Sequence, residues 1–299
     1  MAIAARATLP TRLIAREQPE RPMPVRDMLR RDRFAQAALL ALALVILLAL
    51  LAPVLPIPSP TATSFGERLL PAFSPGHLLG TDQLGRDVLS RIIWGSRISL
   101  LIGALASVIA AGAGALIGLV SGYFGGNVDT VIMRLIDIML AFPYILLAIA
   151  LVAALGPGLT NAMIAIAIAN VSFYARNVRG NVLALRNQPF VEAAQAAGAP
   201  PRWILSHHIL PNTVAPIVIL LSLNIGWMIT ETAGLSFLGL GAQPPTADWG
   251  SMLADGRQFI TVNYQLTLIP GIMILIVVLA LNVLGDSLRD ALDPRLRNR

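Results

Sequence analysis

The sequence contains no lysine and no cysteine, and only three histidines. Without lysine the chain has no P-loop, whose lysine binds nucleotide phosphates, and no lysine Schiff base. Without cysteine it has no disulfide, no thiolate nucleophile and no cysteine-ligated metal site. His77, His207 and His208 are too scattered to predict a histidine metal site. We therefore expect no catalytic residue, no metal site and no bound cofactor on this chain.

Charged residues are scarce as well. They make up 13% of the 299 residues, whereas soluble domains contain about 25%. Hydrophobic residues make up 56%, and the mean hydropathy is +0.72. This composition excludes an ordinary soluble domain and predicts an all-α membrane protein.

Six apolar runs are candidates for transmembrane helices, which need about 20 apolar residues each. We predict spans at 34–56, 98–123, 132–155, 159–174, 211–234 and 266–284. The first run is too long for a signal-peptide core, so we expect it to remain as an anchor. Pro143 is expected to kink the third span. Gly114, Gly118, Gly122 and Gly126 form a stripe with a period of four, which favours close packing against a neighbouring helix.

The arginines are distributed unevenly around these spans. With six spans both termini share one side, and 17 of the 22 arginines fall on that side, against five on the other. Because arginine-rich loops face the cytoplasm, both termini are predicted to be cytoplasmic. The predicted divisions are a mostly disordered cytoplasmic arm at 1–33, a first span at 34–56, an extracytoplasmic loop at 57–97, a five-helix core at 98–288 and a cytoplasmic tail at 289–299. A nucleic-acid-binding arm is the alternative for 1–33, but its position beside a span favours the topogenic role.

The core contains one conspicuous polar segment, residues 187–211, which we call the central loop and place in the cytoplasm. Residues 190–197 are rich in alanine and predict a short helix, and Gly198 is placed to end it as a C-cap glycine. Two prolines then bend the chain before a second helix at 202–208. Glu192, near the start of the first helix, can accept a hydrogen bond from a partner. The physics leaves two alternatives open, a docking site and a structured cover of the bundle end.

The spacing within the central loop resembles the EAA loop of ABC-importer permeases. The resemblance rests on Glu192-Ala193-Ala194, Gly198 and, twelve and thirteen residues further on, Leu210-Pro211. His208 departs from the general pattern, but HILPN at 208–212 is similar to the peptide and nickel branch. The segments 79–100, 231–253 and 288–297 resemble its C-type subunits. The resemblance extends over residues 27–297.

The resemblance implies an ABC type I importer permease with six transmembrane helices in the bacterial inner membrane. It implies three kinds of partner besides lipid: a B-type second permease, two cytoplasmic ATPase subunits and an extracytoplasmic solute-binding protein, with no nucleic acid. ATP and Mg²⁺ would be bound by the ATPases, and this chain would not be an enzyme. Glu192, Ala193, Ala194, Gly198, Leu210 and Pro211 would then couple the ATPases to transport.

Other polar residues lie within the predicted spans. Glu231 in the fifth span, and Asn170 and Ser172 in the fourth, either line a solute pathway or bond neighbouring helices. Asp137 in the third span is expected to pair with Arg134 on the same helix.

A second group of polar residues precedes the second span. Asp82, Arg86, Asp87 and Arg91 alternate in charge, which predicts a solvated ion-pair network, with docking of a binding protein as the alternative. His77 is expected to be an ordinary loop residue.

These observations favour the transmembrane subunit of an ATP-driven importer for di- or oligopeptides. Nickel, glutathione and opine-like solutes remain alternatives within the same class. A stand-alone secondary transporter is the alternative outside it, but the spans offer few ionisable groups for such a mechanism. An intramembrane enzyme and a purely structural scaffold are less favoured, since the spans lack a catalytic constellation and the central loop suggests a partner.

Overall fold

The computed structural model describes residues 32–292, and within them every regular element is a helix. This confirms the all-α prediction for that part of the chain. The predicted arm at 1–33, apart from its last two residues, lies outside the described residues, and so do residues 293–299 of the predicted tail.

Most of the helices follow one another with short connections, but residues 52–87 separate the first from the second. They are α1 (Arg33–Leu51), α2 (Val88–Phe124), α3 (Gly126–Ala141), α4 (Tyr144–Leu155), α5 (Leu159–Arg186), α6 (Pro189–Ala196), α7 (Pro201–Ile204), α8 (Leu210–Phe237), α9 (Trp249–Gly256) and α10 (Gln265–Leu292). A π-helical turn, Leu205–Ile209, joins α7 to α8 without a break. α2 starts ten residues before the predicted second span, because Asp87 caps it by accepting a hydrogen bond from the Ser90 amide.

Four of the described helices are long and apolar enough to cross a membrane: α1, α2, the continuous helix Pro201–Phe237 and α10. α3 and α4 together are also long and apolar enough to form one span, but their axes are bent by 94° at the break between them. The expected kink at Pro143 is thus a complete break, at which Phe142 is extended. A residue before proline avoids the helical conformation, which accounts for the break.

The predicted fourth span corresponds to the first half of α5, which continues to Arg186. α5 is long enough to cross a bilayer, but it is not apolar enough to count among the candidate spans. Its polar residues Asn161, Asn170 and Arg176 lower its hydropathy. The described chain therefore has four or five candidate spans, and the sixth stays a prediction.

α2 and α5 pack closely along the predicted glycine stripe. A Cβ at Gly114 would lie 2.5 Å from Cβ of Tyr174, and one at Gly118 would lie 2.6 Å from the carbonyl oxygen of Ala175. No larger residue fits at these distances without a shift of the helices, so the stripe is a packing surface within this chain, as predicted. Gly126 does not belong to it, because it begins α3.

Residues 52–87 fold over α9 and the start of α2, and we call this assembly the cap. Arg86 donates its Nε to Asp82 Oδ2 over 2.6 Å, and Arg91 Nε lies 3.5 Å from the same oxygen. Asp255 of α9 approaches both arginines from the other side. Arg91 is only 2% exposed and Asp82 and Arg86 are nearly as buried, so the prediction of a solvated network is wrong.

His77 also takes part in the cap. Its Nδ1 lies 2.9 Å from Oδ2 of Asp87, the N-cap of α2, and its Nε2 lies 3.7 Å from a carboxylate oxygen of Glu67. The prediction of an ordinary loop residue is wrong, because the cap brings His77 between two carboxylates.

Candidate functional site

The first helix of the central loop forms as predicted, within one residue at each end. α6 begins with Pro189, whose missing amide hydrogen costs nothing in the first turn. After α6 the amides of Gly198 and Ala199 donate to the carbonyl oxygens of Gln195 and Ala194, respectively. This pair of bonds is a Schellman motif, and Gly198 adopts the positive φ, +79°, that the motif requires.

The second helix differs from its prediction at 202–208. An α-helical turn covers Pro201–Ile204 and a π-helical turn covers Leu205–Ile209, after which the chain continues directly into α8. The central loop is therefore rigidly joined to α8, so a force on the loop acts on that helix directly. π-Helical turns occur frequently at functional sites.

Apolar side chains anchor the central loop to the rest of the bundle. Val191, Ile204 and Ile209 are at most 1% exposed. They pack in one buried cluster with Leu119 of α2 and Val178 of α5. Ala194 and Ala199 lie against the same cluster, so the Schellman turn has its usual apolar contact.

The opposite face of the loop is exposed. Glu192, Ala193, Gly198 and Arg202 are all on this face. Within residues 32–292 the side chains of Glu192 and Arg202 make no hydrogen bond or ion pair. Leu210 and Pro211 are also exposed, at the start of α8, whereas Ala194 is partly buried. The loop therefore combines a buried anchor with an exposed face whose charges have no partner in the described chain.

An aromatic cluster that the sequence did not predict stands beside this face. Trp203, which is 41% exposed, stacks on His207 with ring centroids 4.9 Å apart and planes 13° apart. His208 meets the same indole edge-on, and Phe190 packs against His208. The signal was present as aromatic residues at the spacings i, i+4 and i+5 from Trp203.

The predicted polar residues of the spans lie elsewhere. Asn170 Nδ2 donates to the Tyr144 hydroxyl over 2.5 Å, which joins α5 to α4 at the helix break. Ser172 is buried and bonds the carbonyl oxygen of Ala169 on its own helix. Glu231 lies 21 residues along α8 from Leu210, which corresponds to about 32 Å. The structure thus keeps these residues apart from the central loop.

A cavity of about 320 Å³ opens beside the break between α3 and α4. It is lined by Met139, Leu140, Phe142, Tyr144, Leu147, Ala169, Asn170, Ser172, Phe173, Asn224 and Trp227. Tyr144, Asn224 and Trp227 were not predicted. Asn224, Trp227 and Glu231 follow each other at i, i+3 and i+7, a helical stripe that could have revealed the polar face of α8.

Two ion pairs connect α3 to α5 on the side of the central loop. Asp137 accepts a hydrogen bond of 2.6 Å from Arg176, so its predicted pairing with Arg134 is wrong. The cause is tertiary, because α5 brings a guanidinium to the face of α3 that carries Asp137. Asp129 and Arg179 form the second pair.

The fold combines long apolar helices, a broken helix beside a mostly apolar cavity that carries a few polar side chains, and an anchored loop with an exposed face. These features define a multi-pass helical membrane protein. Residues 114–298 match the family described as "Binding-protein-dependent transport system inner membrane component". The chain belongs to this family.

Relatives and a solved structure agree with this assignment. The dipeptide transport system permease protein DppC of Alkalihalophilus pseudofirmus is 47% identical over 270 residues, which are 90% of this chain and 88% of the relative. The glutathione transport system permease protein GsiD of Pectobacterium atrosepticum is 46% identical over 78% of this chain and 77% of the relative. An inward-facing structure of the MetNI methionine ABC transporter, 18% identical, matches 67% of this chain and 96% of its own with a TM-score of 0.55.

The resemblance to ABC-importer permeases is therefore confirmed, and the fold is that of an ABC importer permease. The chain is a multi-pass permease subunit of the bacterial inner membrane. Its family consists of membrane components without a catalytic role of their own, which work in systems that depend on a binding protein.

Proposed function

We propose that the chain is the translocating subunit of an ATP-driven importer for di- or oligopeptides, and that its central loop docks on an ATPase. A B-type second permease, two cytoplasmic ATPase subunits and an extracytoplasmic solute-binding protein complete the assembly. The ATPases bind ATP and Mg²⁺, and this chain binds no cofactor. Closure of the ATPase pair pushes the central loop, and the spans move between inward- and outward-open states.

One observation carries the docking role, namely the two opposite faces of the central loop. Val191, Ile204 and Ile209 fix the loop to α2 and α5, and its π-helical turn fixes it to α8. Glu192 and Arg202 on the other face have no partner within residues 32–292. A loop that only covered the bundle would turn its charges to solvent without such rigid attachment to three long helices.

The proposed topology has six spans, with α3 and α4 forming one bent span and α5 forming the fourth. Both termini and the central loop are cytoplasmic in this topology, and the cap is extracytoplasmic. The excess of arginine on the proposed cytoplasmic side supports it. The predicted divisions at 34–56, 57–97, 98–288 and 289–299 follow from it.

The peptide part of the proposal is supported by the relatives. One is named for dipeptide transport and another for glutathione transport, so glutathione, itself a short peptide, is the second candidate solute. We further propose that the cavity beside Asn170 and Ser172 is part of the solute path and that Glu231 lies at its edge.

The experiment is a pull-down of the tagged chain from native membranes, with the variant Gly198→Asp compared with the wild type. We expect the wild type to recover a second permease and P-loop ATPases. The variant should still recover the second permease but should lose the ATPases. An added Cβ at Gly198 meets no atom of the described chain within 4 Å. The substitution should therefore strain the local backbone without disturbing the fold.

Gly76→Asp is the matched control. Gly76 is also exposed, has a φ of +83° and leaves open space for a Cβ, so the backbone strain should be comparable. It lies in the cap, separated from the central loop by the length of α2, which is about 55 Å. ATPases that are retained by Gly198→Asp would contradict the docking role. A chain that purifies alone and moves solute in vesicles without ATP would favour the secondary transporter instead.

A further inference from the structure

The cavity beside the α3–α4 break offers hydrogen-bond acceptors and no positive charge. No arginine or histidine lines it, and its polar side chains are amides and hydroxyls. Asn170 and Asn224 use their Nδ2 atoms as donors to Tyr144 and Tyr174, respectively. Their Oδ1 atoms accept no hydrogen bond within residues 32–292. The Tyr144 oxygen already accepts the Asn170 bond, so its hydrogen remains available to a carboxylate.

Glu231 places a carboxyl group near this cavity, although it is not one of the lining residues. It lies one helical turn beyond Trp227 on the stripe of α8 that lines the cavity, and it interacts electrostatically with Tyr144. Its carboxyl is partly buried and makes no hydrogen bond or ion pair in the described chain. The two acidic residues of α3, by contrast, are each paired with an arginine of α5. A carboxylate in a span that merely stabilised the fold would have such a partner.

The indole of Trp227 adds a third element. Trp227 is 53% exposed and lines the cavity, so a molecule that enters the cavity can reach its ring. The face of an indole attracts cations, and a nearby carboxylate strengthens the attraction. An anion would find neither a guanidinium nor an imidazole here. The combination of acceptor, carboxylate and indole therefore selects a cation with hydrogen-bond donors.

We propose that Glu231, Trp227 and the Asn170–Tyr144 pair form a binding site for a primary ammonium group, the free amino terminus of a peptide in transit. This assignment rests on the proposed function for the identity of the solute. The site holds the amino terminus while the rest of the peptide occupies the cavity. Glu231 acts on the solute directly and has no role in docking the ATPases.

The test uses single-cysteine labelling, because the chain has no cysteine of its own. In the purified complete assembly, Trp227→Cys is labelled with the cationic aminoethyl methanethiosulfonate and with the anionic sulfonatoethyl methanethiosulfonate. We expect the cationic reagent to be preferred, and Glu231→Gln to lower the ratio of the two rates roughly tenfold. Asp137→Asn is the control and leaves the ratio unchanged, because that carboxylate is paired with Arg176.

Uptake of dialanine by the reconstituted assembly provides the second readout. We expect Glu231→Gln to raise the KM for dialanine roughly tenfold, Glu231→Asp to restore most of the affinity, and both variants to retain the ATPases. A labelling ratio unaffected by Glu231→Gln overturns the proposal, even if uptake falls, because a loss of uptake alone indicates a structural role. If the wild type takes up no dialanine, the peptide function fails, and the labelling ratio still decides whether the site attracts ammonium.

Discussion

Arg179 of α5 holds Asp129 of α3 through two hydrogen bonds of 2.6 Å, Nε to Oδ1 and Nη2 to Oδ2. Ser121 of α2 donates its hydroxyl to the same carboxylate, so one acidic side chain joins three helices. The bidentate arrangement is among the stronger ion-pair geometries. It stands next to Val178 and Val182, which anchor the central loop, and thus fixes the surface on which the loop rests.

Asp129→Asn tests this junction. The amide keeps the size of the side chain but loses the charge and one of the bonds, and we expect a loss of about 2 kcal/mol of stability. The measurement is thermal unfolding of the purified assembly. Asp137→Asn is the control, because the Asp137–Arg176 pair is about half exposed, at 51% and 55%, and should contribute less than about 1 kcal/mol. Equal shifts in the two variants would contradict the role assigned to Asp129.

The contact between α2 and α5 gives a second prediction. Gly118→Ala places a Cβ 2.6 Å from the carbonyl oxygen of Ala175 and 2.9 Å from the amide nitrogen of Arg179, so the helices must separate. We expect a lower melting temperature and less inserted protein, read from thermal unfolding and membrane yield. Gly112→Ala, on the same helix, meets no atom within 4 Å, and alanine should stabilise the helix there by up to about 1 kcal/mol. A tolerated Gly118→Ala would show that the helices can adjust.

The elements best predicted from the sequence are those with local signals. Gly198 and the two prolines after it set the turn of the central loop, because a left-handed C-cap and a proline bend depend on the residues at those positions. The glycine stripe of α2 was equally visible, since its period of four places it on one helix face. Span ends were less predictable, as α5 shows by continuing twelve residues beyond its predicted end.

The buried charges could not be predicted, because their environment comes from distant parts of the chain. Arg86 and Asp255 are 169 residues apart in the sequence, and only the folding of the cap over α9 brings them together and buries Arg86. Charged residues next to a span are usually solvated, so the local pattern favoured the wrong environment. The cavity likewise combines α3, α4, α5 and α8, and periodicity alone does not reveal which helices meet.

Asp248 leads to a prediction about pH. It caps α9, and burial raises the pKa of its carboxyl, although bonds from Ser251 and Gly250 oppose the shift. Since an acid with a raised folded-state pKa binds more protons when folded, stability falls as the pH rises from about 4 through that pKa. Asparagine also caps helices and carries no charge. We expect Asp248→Asn to gain stability relative to the wild type at pH 7.5 and to show little difference near pH 4.

The comparison requires melting curves of both proteins at several pH values in the same detergent. A stability difference between the two proteins that is constant with pH would contradict the raised pKa of Asp248. The effect of the substitution would then come from packing and not from ionisation. A variant that is less stable at all pH values would show that the carboxylate, and not its neutral form, is the better cap.

Trp203 and Ile204 are neighbours on opposite faces of the central loop. Variants at these two positions therefore distinguish an effect on docking from an effect on folding. Ile204 is 1% exposed, so Ile204→Ala leaves a cavity in the anchor and should cost about 2–5 kcal/mol of stability. Trp203→Ala removes the exposed ring that stacks on His207, and we expect an almost unchanged melting temperature. If the loop docks on an ATPase, Trp203→Ala should reduce ATPase recovery in the pull-down, because exposed aromatic residues contribute strongly to interfaces. Full recovery with Trp203→Ala would place the interface on the side of Glu192 and Gly198, away from the aromatic cluster.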